Sequence, residues 1–273
     1  MASTPTLALL ALFSAVILAV AACASDRATA EAPLAGMKVT SEPAGTVLVL
    51  AAASLTDVLT EAAVKFKTET GIEVKFSFGG SDSLATQLRR GAPGDVVIFA
   101  GAGPLDGLEK DGIVLKDSRR DIASNRLVII APAGSGLKLA SLGEIATGYS
   151  GRVAIADPRL APAGRYAQAA LEKAGVWAAL GPRLIPSLDV RNTAAAVASG
   201  NAEFGFVYET DVAAVKGVDV VMAVPRDAYP QILYPASVVA GSEAQALAGR
   251  FLEYLVSQEA AGLFGKYGFR PPE

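Results

Sequence analysis

The sequence predicts an α/β protein of two lobes with a ligand cleft between them. From Thr46 onward, short β-branched runs alternate with amphipathic helical stretches, the pattern of sheets flanked by helices. The chain has 273 residues, more than one ordinary core accommodates. It also turns extended at Ala123-Ser124-Asn125-Arg126 and again at Tyr229-Pro230-Gln231-Ile232. Two such crossings imply a discontinuous first lobe, residues 46–124 and 232–273, with a continuous second lobe, residues 125–231, inserted between.

Strands are expected at Thr46–Leu50, Glu73–Phe78, Asp95–Phe99, Arg126–Ile130, Val153–Ile155, Phe204–Val207, Val218–Met222 and Pro235–Val239, in largely parallel sheets. In the first helix Leu55, Val58, Leu59, Ala62, Ala63 and Phe66 recur with a 3.6-residue period, and Gly71 stops it. A second helix begins near Ser81 and ends at Gly91. Others are expected at Ala163–Ala174, Thr193–Ser199 and Ser242–Phe264.

The N-terminal region reads differently. Leu7 to Ala22 is an apolar and small-residue run interrupted only by Ser14. It suits a signal-peptide core and falls short of the roughly 20 residues that span a bilayer. It ends in Val20-Ala21-Ala22-Cys23, which resembles the lipobox of bacterial lipoproteins, where the cysteine sulfur is lipidated and becomes the mature N-terminus. Met1 to Thr6 lack the usual Lys or Arg. Residues 1–22 are therefore expected to be a lipoprotein signal peptide, Cys23 the lipidation site, and residues 23–45, rich in small and polar residues, a flexible tether. The folded body is expected in the cell envelope outside the cytoplasmic membrane, lipid-anchored and either periplasmic or surface-exposed.

Composition excludes much chemistry. With 27 acidic and 24 basic residues the chain has no basic excess for nucleic acid. The absence of histidine removes Ser-His-Asp and Cys-His nucleophile activation and His-ligated zinc. A single cysteine makes neither an internal disulfide nor a Cys-rich metal site.

The loops after the strands are the informative part. Ala51-Ala52-Ala53-Ser54-Leu55-Thr56-Asp57 leads into the first helix, with Ser54 at the N-cap position and Asp57 completing a Ser-x-x-acid pattern. Gly79-Gly80-Ser81-Asp82 enters the second helix. Capping accounts for either serine alone. Two such turns, lined with residues small enough for an anion to reach the backbone, also make an oxyanion site. Tyr208, at a strand C-terminus, suits a core aromatic or a cleft-facing hydroxyl. Gly101-Ala102-Gly103-Pro104-Leu105-Asp106-Gly107 has its third glycine one residue late for a dinucleotide fingerprint. Asp157-Pro158 reads as a turn, and Asp157 is the best acid for an enzyme reading.

In order and spacing, several blocks resemble the molybdate-binding proteins of bacterial ABC uptake transporters. They are Ala-Ala-Ala-Ser-Leu-Thr at 51–56, Gly91-Ala92-Pro93-Gly94-Asp95, Asn125-Arg126-Leu127-Val128, Asp157-Pro158 with Pro162-Ala163-Gly164 and Tyr166, Asp189-Val190-Arg191, Val207-Tyr208 and Lys266-Tyr267-Gly268-Phe269. The resemblance implies a type II periplasmic-binding-protein fold that holds one tetrahedral oxyanion, molybdate or tungstate, and no enzymatic activity. It implies that Ser54 and Ser81 each donate a hydroxyl and a backbone N–H, Ala163 and Val190 backbone N–H groups, and Tyr208 its phenolic O–H. Molybdenum enters only as bound molybdate, with no cofactor. The implied partners are a membrane permease with its ATPase, and the chain is expected to act as a monomer. Arg165 and Arg191, which flank the site, read as structural or as long-range attraction. Asp82 departs from the family pattern; read as an outward-pointing charge, it repels a dianion, so its neutralisation would tighten binding. The competing readings are a binder of another oxyanion or a small carboxylate on the same fold, and a cell-envelope enzyme.

Overall fold

The computed structural model describes residues 45–272. The expected signal peptide, the lipidation site Cys23 and all but the last residue of the tether lie outside the described residues.

The first sheet begins with β1 (Thr46–Ala52), which runs through a 3₁₀ turn (Ala53–Leu55) into α1 (Thr56–Thr70). The helix ends at Gly71, whose φ of 75° lies in the left-handed region that glycine adopts without strain. β2 (Glu73–Gly79), α2 (Ser81–Arg89), β3 (Val96–Ile98), α3 (Ala102–Lys110) and β4 (Arg120–Asn125) follow. The chain then passes through Arg126 into the second sheet. That sheet holds β5 (Leu127–Pro132), α4 (Glu144–Thr147), β6 (Val153–Ala156), α5 (Pro162–Lys173), α6 (Trp177–Leu180), β7 (Leu184–Ser187), α7 (Val190–Ala198), β8 (Phe204–Tyr208), α8 (Glu209–Ala214) and β9 (Val218–Ala223). β10 (Ile232–Val238) returns to the first sheet, and α9 (Gln245–Leu255) and α10 (Gln258–Lys266) close the chain. The strand orders are β2-β1-β3-β10-β4 and β7-β6-β8-β5-β9. This is the two-lobed α/β architecture.

The sheets are mixed rather than largely parallel. β1, β2 and β3 are parallel, as are β6, β7 and β8, because helices connect them. β10 runs antiparallel to β3 and β4, and β5 antiparallel to β8 and β9. Both arrive from the other sheet rather than over a helix crossover, a direction that local periodicity does not encode. Two strands went unpredicted. β4 contains Ala123-Ser124-Asn125, expected as a mere crossing, and β7 is a short edge strand carrying Pro186, which an edge tolerates. The single helix expected over Ser242–Phe264 is two, broken where Ser257 Oγ accepts from Ala260 N–H and starts α10.

β1 is buried on both faces, which is why Thr46–Ala52 reads as a nearly unbroken apolar run. Val47, Val49 and Ala51 pack with Leu59, Phe66 and Phe251, while Leu50 packs with Leu84, Leu88, Val97 and Phe99. The parallel strands of both sheets therefore aim their C-terminal ends, and the loops leaving them, out of solid cores. Those loops are where open α/β sheets hold ligands.

Candidate oxyanion site

Five loops meet at one small pocket. Ser54 comes from the turn after β1, Ser81 from the start of α2, Ala163 from the first turn of α5, Val190 from the start of α7, and Tyr208 from the end of β8; all line the same pocket. The first two sit on one sheet's loops and the other three on the other's. The lobes are closed on this space, leaving about 10 Å³, room for about one water. A tetrahedral oxyanion is larger than this space.

Neither serine caps a helix. α1 begins at Thr56, with Leu55 as its uncapped N-cap, so the expected Ser54–Asp57 capping box does not form. Ser81 lies inside α2, and Gly80 precedes it without a side-chain cap. Both hydroxyl oxygens instead accept or share hydrogen bonds from below the pocket: Ala100 N–H donates to Ser81 Oγ at 3.0 Å, and Ser54 Oγ lies 3.1 Å from Tyr234 Oη. Both serines are almost wholly buried.

The backbone adds further donors. Ser81, Ala163 and Val190 stand in the first turns of α2, α5 and α7, where N–H groups have no acceptor within their own helix and the helix end carries partial positive charge. Pro162 opens α5 without needing an N–H. Gly164 lets that helix start against β6, because a Cβ there would run into the Ala156 carbonyl. The Tyr208 hydroxyl donates to the Ala100 carbonyl at a long 3.4 Å. Burial pushes the Tyr208 phenol well above its ordinary range, so it keeps its proton and remains a donor. Asp189 also lines the pocket, but its carboxylate accepts from Asn192 N–H and Asn192 Nδ2 and caps α7.

The charged residues beside the pocket join the lobes. Arg165 on α5 donates to Asp82 on α2 at 2.6 Å, and Arg191 on α7 donates to Asp57 on α1 at 2.6 Å. Asp82 is thus a strap across the cleft, not the outward-pointing charge that the sequence suggests. The N–H groups of Asp82 and Ser83 also cross the cleft, both donating to the Leu160 carbonyl. Behind Arg191, Asp211 is fully buried, accepts from Tyr208 N–H and has Oδ1 2.8 Å from Arg191 Nε.

Asp157, the acid of the enzyme reading, is paired with Arg159. The Arg159 side chain and its backbone N–H hold the carboxyl below the usual carboxylate range. Among the described residues no cluster of three or more metal-ligating side chains exists. A larger groove of about 680 Å³ is also lined by Ser54, but its Arg191, Lys266 and Arg270 each pair with a carboxylate. Sequence reasoning gave no role to Tyr234 or Asn125, and although it read Arg165 and Arg191 as structural it did not pair them with Asp82 and Asp57. Their partners lie across the lobes or more than a hundred residues away, beyond any local pattern.

The family described as bacterial extracellular solute-binding protein matches residues 47–270. The chain is similar to the molybdate-binding protein ModA of Escherichia coli (strain K12), 38% identical over 82% of this chain and 89% of that protein. It is similar to ModA of Haemophilus influenzae, 34% identical over 86% and 94%. Among solved structures, the periplasmic molybdate-binding protein of Azotobacter vinelandii superposes with a TM-score of 0.75 at 26% identity, over 83% of this chain and all of that one. A binding cleft closed between two α/β lobes and a match over nearly the whole folded body lead to one assignment: this chain belongs to the bacterial extracellular solute-binding proteins.

Proposed function

We propose that this protein captures molybdate outside the cytoplasmic membrane and delivers it to an ABC-transporter permease with its ATPase, without catalysing a reaction. One observation carries the reading: donors from both lobes converge on a single small pocket from which side-chain acceptors are withheld. Molybdate is a fully deprotonated dianion at neutral pH, so every group that touches it must donate. Hydroxyls and first-turn N–H groups do this without a Lys or Arg in direct contact. Tungstate, of nearly the same size and charge, fits the same donors.

Thermal melting tests this reading. At about 1,000 times its dissociation constant a ligand adds about 4 kcal/mol, so molybdate should raise the melting temperature by roughly 8–16 °C. Sulfate at equal concentration should do little; an equal response to both would sink the specificity claim. The apolar run ending at Cys23 supports a lipid anchor, and Cys23→Ser should release the protein from the membrane fraction. The protein is further proposed to act as a monomer, which light scattering would test.

A further inference from the structure

Behind the pocket runs a chain of buried hydrogen bonds whose direction can be worked out from the chemistry of each group. Asn125 Oδ1 accepts from Arg126 N–H at 2.8 Å, which orients the amide. Its Nδ2 then donates twice, to Thr210 Oγ1 at 2.9 Å and to Tyr234 Oη at 3.0 Å. A flipped amide would set two N–H groups against each other. Tyr234 is fully buried, and that burial pushes its phenol far above the ordinary range. It therefore keeps a proton and, accepting from Asn125, has Ser54 Oγ at 3.1 Å as the group to receive it. Ser54, its oxygen occupied from behind, has its own proton left for the cleft. Ser81 is held the same way by a backbone donor, the N–H of Ala100.

We infer that Tyr234 and Asn125, neither of which lines the pocket, are positioning residues for the anion: the Asn125 amide orients the Tyr234 hydroxyl, which occupies the Ser54 oxygen and turns the Ser54 proton toward the ligand. The inference rests on the oxyanion reading above. Aligned hydrogen bonds in a dry interior polarise one another, so the relay strengthens the final donor as well as aiming it.

Calorimetric titration with sodium molybdate separates the two claims. No binding by the wild type overturns both the oxyanion reading and this one. If the wild type binds, Tyr234→Phe, which keeps the ring packed on Tyr208 and Phe269, should weaken affinity by about 3- to 10-fold, the worth of one hydrogen bond. In a Ser54→Ala background the same substitution should cost nothing more, whereas in a Ser81→Ala background it should cost its full amount. A purely structural role would cost equally in both. Asn125→Ala provides a second entry to the relay should Tyr234→Phe not fold, and it should show the same dependence on Ser54. Unchanged affinity in either folded variant, or equal losses in the two serine backgrounds, overturns the relay and leaves molybdate binding standing.

Discussion

The Asp82 carboxylate lies 2.6 Å from the Arg165 guanidinium, and the two residues belong to helices of opposite lobes. The charge that looks hostile to a dianion in the sequence is tied to a cation of the opposite lobe. Burial pushes its carboxyl upward and outweighs the pull of Arg165, as expected for a half-buried strap.

Two terms then oppose each other in Asp82→Asn. It loses a partly exposed ion pair of about 0.2–1 kcal/mol and relieves long-range repulsion of similar size. Its molybdate affinity should stay within about threefold of wild type. Arg165→Gln loses the strap and a nearby positive charge together, so it should weaken binding by about 3- to 10-fold. Calorimetry on the pair decides; tenfold tighter binding by Asp82→Asn would show that the strap contributes nothing to closure.

Gly80 has an ordinary backbone conformation, so its lack of a side chain matters for space alone. A Cβ there would collide with the carbonyl oxygens of Leu160 and Leu188 across the cleft. Gly80→Ala should therefore bind molybdate at least tenfold more weakly while its ligand-free melting temperature changes little. Small-angle scattering should show it more open than wild type with ligand present. Full closure would mean that the two carbonyls give way.

Ser54→Ala and Tyr208→Phe should each lose about 1.5–3 kcal/mol of binding, the usual worth of a hydrogen bond to a charged group. Ser124→Ala is the control. Its hydroxyl donates to the Pro271 carbonyl at 2.7 Å, so it should cost roughly 1 kcal/mol of stability and leave affinity alone. Unaltered affinity in both site variants would remove Ser54 and Tyr208 from the ligand shell.

Asp211 sets a pH dependence. Burial pushes its carboxyl up to about 7, against the pull of Arg191 and the Tyr208 N–H and with a further push from Asp189. Unfolded, it titrates near the ordinary value of about 3.9. Between those values the folded protein holds a proton that the unfolded chain has released. Its contribution to stability is therefore present at low pH and is lost as pH rises from about 4 through 7. Relative to Asp211→Asn, the wild type should lose on the order of 1–4 kcal/mol between pH 4 and pH 8. Parallel stability curves for the two proteins would show that Asp211 stays ionised throughout.

Periodicity and turn chemistry were enough to place α1 and its stop at Gly71, the β-runs that became β1, β2 and β8, and the small-residue turns at Ser54 and Ser81. These are readable because each is decided by residues within a few positions: a helical repeat closes every 3.6 residues, and a strand buried on both faces shows as a short apolar, β-branched run. The absence of histidine and the single cysteine likewise bounded the chemistry before any contact was known. What the serines do was decided by tertiary structure. Each looked like a helix cap, but Ser81 meets the Ala100 N–H and Ser54 meets Tyr234, 180 residues away. The reversed directions of β5 and β10, the role of Asp82 and the collision space at Gly80 are of the same kind. Each depends on where the opposite lobe or a returning strand comes to rest, and that position is set by the packing of whole sheets rather than by neighbours in the chain.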